Sequence, residues 1–148
     1  MLLYLRKNKS GVMSNKIMAV LAGIIAGNVG VMALEWLSMT LFPIPETINV
    51  RTPEGLKEYM EQAPVGSLLL VVVAWVAGAF LSALVCTILA KSDQLRLGLI
   101  LGALMLVFTL INLIGFPHPW WMWVMAITGI MPAAYLGVKT GMKKTIVP

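Results

Sequence analysis

Four long apolar runs dominate the chain, at residues 17–42, 65–90, 97–116 and 120–138. Each is near or above the ~20 helical residues needed to cross ~30 Å of hydrocarbon. The pattern predicts an all-α fold, a four-helix transmembrane bundle that takes up the whole chain, residues 1–148, as a single membrane domain. The one sizeable polar segment is residues 43–64, punctuated by Pro43, Pro45 and Pro64. Within it, Thr52, Pro53 and Glu54 read as an N-cap, a first-turn proline and an acid favoured by the helix dipole. The short helix they start should end near Gln62, with Leu56, Tyr59, Met60 and Ala63 on one apolar face. An amphipathic helix of this kind is expected on the outer surface of the bundle, and so short a helix is marginal unless that face is buried.

Between the third and fourth runs, Gly115, Phe116, Pro117, His118, Pro119 and Trp120 make a tight turn that the two prolines keep from continuing as helix. Trp120, Trp121 and Trp123 follow at headgroup level, an aromatic belt in preference to a ligand cage. Pro132 removes the helical bond to the carbonyl of Thr128 and marks a kink or a hinge.

Composition and charge narrow the class. With 148 residues, 59% hydrophobic and 11% charged, and a mean hydropathy of +0.91, the chain is far from an ordinary soluble domain. The net charge of +5 is a topology signal, not a nucleic-acid patch. Arg6, Lys7, Lys9, Lys16, Lys91, Arg96, Lys139, Lys143 and Lys144 all border helix ends on one side, facing anionic lipid. Residues 43–64 instead carry Glu46, Glu54, Glu58 and Glu61 against Arg51 and Lys57. This bias places both termini in the cytoplasm and the 43–64 loop outside, in a multi-pass protein of the bacterial plasma (inner) membrane. Membrane lipid is the expected partner and nucleic acid is not. Cys86 is the only cysteine, which excludes an intrachain disulfide and a CxxC redox or metal pair. No small-residue cleavage site follows the basic start, so the first run reads as a retained span. Met13, before Ser14, Asn15 and Lys16, is an equally good initiator, and nothing mechanistic is placed on residues 1–12.

In lipid, helices associate through small residues that let backbones approach and through polar side chains that bond across the gap. Each run supplies a small-residue stripe: Ala19, Gly23 and Gly27; Ala74, Gly78 and Ser82; Gly98 and Gly102; Gly129, Ala133 and Gly137. These stripes suit contacts within the chain or the seam of a homo-oligomer. In the third run the stripe continues through Met105, Thr109 and Asn112, so that face should point into the bundle.

Glu35 is the sharpest chemical feature, because it is the only ionisable side chain well inside a run. It lies ~10 Å below the outer boundary. A bare charge is expensive there, so the residue is expected as a protonated acid, as an acid paired with a bound cation, or as a carboxylate facing a wet cavity. The bland alternative is a staple that hydrogen-bonds neighbouring helices. Asn28 and Ser38 share its helical face, and Thr109 and Asn112 fall at nearly the same depth. Glu35, Asn28, Asn112, Thr109 and Thr128 are therefore the candidate buried polar or ion site. Trp75, near mid-bilayer, and His118 are candidate cavity-lining residues. If His118 caps the cavity above Glu35, it can relay protons near neutral pH. No Ser/His/Asp set, carboxylate pair or metal-ligand spacing occurs inside the runs, so no enzyme, cofactor or metal is expected.

The stretch 34–45, the segment PVGSLLLVVVAWVAGAF and the FPHPWW turn leading to PAAYLG resemble an uncharacterised family of small bacterial four-helix integral membrane proteins. That resemblance implies the fold and carries no function. A carboxylate in the first of four helices is also similar to the small multidrug-resistance transporters, in which such an acid exchanges protons for cationic drugs. The long 43–64 loop and strong one-sided positive charge depart from their pattern and argue against a dual-topology dimer. Three functional readings follow. One is a structural or accessory membrane protein with a polar cluster around Glu35, another a small proton- or cation-coupled transporter or channel using Glu35. The third is a lipid or hydrophobic-ligand binder, suggested by eleven methionines.

Overall fold

The computed structural model describes residues 2–142, with side chains from Val12 onward. The anchoring side chains of Arg6, Lys7 and Lys9, and all of Lys143 and Lys144, lie outside the described part. Among the described residues the chain is all helical: α1 (Leu2–Leu41), α2 (Pro53–Gln62), α3 (Val65–Leu89), α4 (Gln94–Gly115) and α5 (Trp120–Gly141). Four helices are long and apolar enough to cross a membrane, over Val12–Leu41, Val65–Leu89, Gln94–Gly115 and Trp120–Gly141. The first begins well before residue 17 and the last runs past residue 138. Apolar runs locate hydrocarbon, whereas helical hydrogen bonding persists into the polar flanks. Pro132 sits inside α5 without ending it.

α3 is the hub, packed against α1, α4 and α5. Its small residues explain how. A Cβ added to Gly27 of α1 would come within 2.8 Å of the Ser82 Cβ and 2.9 Å of the Gly78 carbonyl oxygen. On its other side, a Cβ on Gly141 of α5 would lie 2.9 Å from the Leu84 carbonyl oxygen. The stripes predicted for α1 and α3 thus meet each other, the α5 stripe packs through Gly129 and Gly137 on Val76, Phe80 and Leu84 of α3, and Gly98 and Gly102 of α4 face Val138 and Ala134 of α5. Leu68, Val72, Trp75, Leu113, Met122 and Ile130 form the main apolar core. A second cluster, Ala19, Cys86, Ala90 and Leu101, closes the end near the termini. α1 meets α4 only lightly.

The end near the termini is held by specific bonds. The Gln94 amide donates to the Thr87 and Ala90 carbonyls at 2.9 and 3.0 Å, satisfying acceptors that the end of α3 would otherwise leave open. Asn15 of α1 donates to the Leu89 carbonyl at 3.3 Å and accepts the Lys91 N–H at 2.9 Å. Lys16 pairs with Asp93, whose backbone takes the left-handed conformation at φ 54°, which Asp tolerates better than most residues. The hydrogen bond from Lys16 holds the Asp93 carboxyl below its ordinary range.

At the opposite end, Thr52 caps α2 by accepting the Gly55 N–H at 3.2 Å. Met60 and Ala63 pack against the main core, which gives a ten-residue helix the burial it needs. The Tyr59 hydroxyl lies 3.2 Å from Ser67 Oγ, itself 3.4 Å from Ser38 Oγ, so three helices share one hydroxyl cluster.

If backbone approach sets the packing, Gly27→Ala should cost about 1–3 kcal/mol of stability. Gly115→Ala, where an added Cβ meets nothing within 4 Å, should change it by less than about 0.5 kcal/mol. Thermal unfolding of both variants in one detergent compares them.

Candidate functional site

Because α1 leans on α3 and barely touches α4, a slot of about 440 Å³ is left between these three helices. Ile24, Asn28, Val31 and Glu35 line it from α1, a spacing that keeps all four on one helical face. Trp75 and Ser82 line it from α3, and Leu101, Leu104, Met105, Phe108, Thr109 and Asn112 from α4. Leu101, Trp75, Ser82 and Thr109 are buried and make the floor, whereas Asn28, Phe108 and Asn112 are exposed and mark the mouth. The slot therefore opens sideways, between α1 and α4.

Counting ~1.5 Å per residue from the helix ends at Leu41, Val65 and Gly115 puts Asn112 ~4.5 Å and Glu35 and Thr109 ~9 Å below the α2 end. Ile24 and Ser82 lie ~25 Å below it. The slot is thus roughly 20 Å long. Beyond its deep end the buried cluster Ala19, Cys86, Ala90 and Leu101 packs α1, α3 and α4 together.

The lining offers a carboxylate, two amides and two hydroxyls among apolar walls. Among the described residues, Glu35 makes no ion pair within 4.0 Å and no hydrogen bond to another helix. The Asn28 amide donates to the Ile24 carbonyl at 2.9 Å, which leaves its own carbonyl oxygen free. Ser82 is fully buried, and its hydroxyl has no hydrogen-bond partner. A buried hydroxyl without a partner is costly, and this one lines the slot. Sequence reasoning took Ser82 only as a small packing residue, although a hydroxyl inside a glycine stripe was the signal to find it.

Glu35, Asn28, Thr109 and Asn112 thus come together, and Trp75 lines the slot with them while also belonging to the main core. Two candidates fall elsewhere. Thr128 faces away, on a shallow surface between α3 and α5. Its hydroxyl donates to the Val124 carbonyl at 2.7 Å, the local bond that Thr makes when a helix face points outward. Depth alone put Thr128 near Glu35, but depth says nothing about which way a residue faces. His118 does not line the slot; it packs edge-on against Trp75, ring centroids 5.8 Å apart, and reaches the slot only through that indole. Ser38 is buried in the hydroxyl cluster one turn from Glu35 and does not line the slot.

No protein-family model matches this chain, and no curated protein or solved structure matches it either.

His118 lies outside the membrane-crossing helices. Burial pushes its imidazole below the ordinary value, only partly offset by the hydrogen bond to the Phe116 carbonyl at 3.1 Å. It is therefore neutral at physiological pH, with the Nδ1 hydrogen donated to that carbonyl. The folded state resists protonation that the unfolded chain accepts, so stability should fall as pH drops below about 6.5. His118→Gln should remove that slope from a plot of Tm against pH.

Proposed function

We propose that this chain is a small proton- or cation-coupled membrane transporter in which Glu35 is the ion-binding group. One observation carries the reading. The only ionisable residue well inside the apolar helices faces a slot and is bonded to no other helix, which leaves its charge for a proton or a small cation to balance. A staple between helices would need a hydrogen bond that Glu35 does not make among the described residues. Oxygen atoms of Asn28, Thr109, Asn112 and Ser82 along the same slot suit a proton on a water chain or a hard monovalent cation.

The buried apolar cluster beyond the deep end argues against a standing pore. Coupled transport would instead require α1 and α4 to move relative to each other. In this reading both termini lie in the cytoplasm of a bacterial cell and α2 rests on the outer face of the plasma membrane. The one-sided distribution of Lys and Arg supports that orientation.

Glu35→Gln keeps the shape of the side chain and removes its charge. In proteoliposomes carrying a pH gradient, the variant should abolish cation uptake while its Tm stays within about 2 °C of the parent. A Tm several degrees lower, with uptake unchanged, would assign Glu35 to the scaffold and sink the proposal.

A further inference from the structure

A second cavity, of about 820 Å³, lies between α2 with its preceding loop and the turn joining α4 to α5. It is remote from the Glu35 slot in chemistry, and the transport reading makes no use of it. Its walls are largely apolar, from Ile44, Val50, Leu56 and Phe116, and its charged groups are Arg51 and Lys57. Those are the only two cations in residues 43–64, yet none of the four acids of that segment, Glu46, Glu54, Glu58 and Glu61, lines the groove. A loop that is acidic as a whole thus turns only its positive charge into this space.

Both cations are free to take a ligand. Arg51 makes no ion pair among the described residues. Lys57 reaches only Glu61, at 4.0 Å, with both side chains 67% exposed, a contact that water and salt largely screen. The groove also sits at the right depth. Gly115 and Phe116 mark the end of a membrane-crossing helix, and Trp120, 78% exposed, stands just beyond the same turn. Tryptophan in that position marks the headgroup region, where lipid phosphates lie.

We propose that this groove binds an anionic membrane phospholipid, with its phosphate between Arg51 and Lys57 and an acyl chain against Phe116 and Leu56. A guanidinium gives a phosphate two parallel hydrogen bonds and an ammonium adds a point charge. The apolar walls select an amphiphile over a soluble anion. A zwitterionic lipid brings its own ammonium close to two cations and is disfavoured.

The test uses the full chain in phosphatidylcholine nanodiscs doped with a phosphatidylglycerol that carries a photoreactive group beside its phosphate. Mass spectrometry then maps the cross-linked peptides. Label is expected on residues 44–59 or 115–117 and should drop roughly tenfold in the double variant R51Q/K57Q. The swap R51K/K57R should retain it, which guards against a loss caused by misfolding. Equal labelling of parent and R51Q/K57Q overturns the proposal. So does equal labelling by a phosphatidylcholine probe, since charge would then not select the lipid. Loss of the label on adding excess inorganic phosphate also overturns it, by making a soluble phosphate group the ligand.

Discussion

The approach of α1 to the backbone of α3 is the contact from which the rest of the structure follows. Gly23 and Gly27 let α1 settle against Ser82 and Gly78 with no side chain between. In lipid, where apolar surface gains little by leaving one oily neighbour for another, such close van der Waals contact is the main force holding helices together. α5 is drawn onto the opposite face of α3 by the same means, through Gly137 and Gly141. α4 closes on α5, with Gly98 and Gly102 against Val138 and Ala134, and meets α1 only lightly. The slot between α1 and α4 is thus the geometric remainder of good packing elsewhere.

That remainder decides what Glu35 is able to do. A carboxyl wedged between close-packed helices would have to find a donor on a neighbour, whereas one facing a gap needs none. On the transport reading, a proton or cation would neutralise it at lower cost than a bare buried charge would bear. Phe108 and the indole of Trp75 line the same slot as the carboxyl.

Helix number and type were legible because apolar runs of this length have one economical fate. The α2 helix was equally readable, since the Thr52 cap, Pro53 and the apolar face are local features, and its ends match the expected ones closely. Much of the candidate site was legible too, through the pairing of depth with helical face that brought Glu35, Asn28, Thr109 and Asn112 to one slot. Thr128 shows where that reasoning stops. Depth follows from counting residues, but the direction a side chain takes depends on which neighbour its helix leans upon, and α5 leans on α3 and α4. The groove holding Arg51 and Lys57 was invisible for a related reason. It is made by the α4–α5 turn coming beside α2, an approach between distant segments that no local pattern encodes.

Restraint along α1 is uneven, and this bears on how the slot can change shape. Near the termini, α1 is tied to the α3–α4 loop by both ends of the Asn15 amide and by the Lys16–Asp93 pair. Near α2, its only side-chain hydrogen-bonding contact with α3 among the described residues is Ser38, whose hydroxyl stands 3.4 Å from both the hydroxyl and the carbonyl oxygen of Ser67. Contacts of that length are weak. Displacing the α2 end of α1 therefore costs less than displacing its other end, and Glu35 lies one turn from Ser38. The backbone contacts at Gly23 and Gly27 stand nearer the middle and act as the fulcrum. On the transport reading, a tilt of α1 about that point would change the slot most at the level of Glu35, where an ion would be taken up or released.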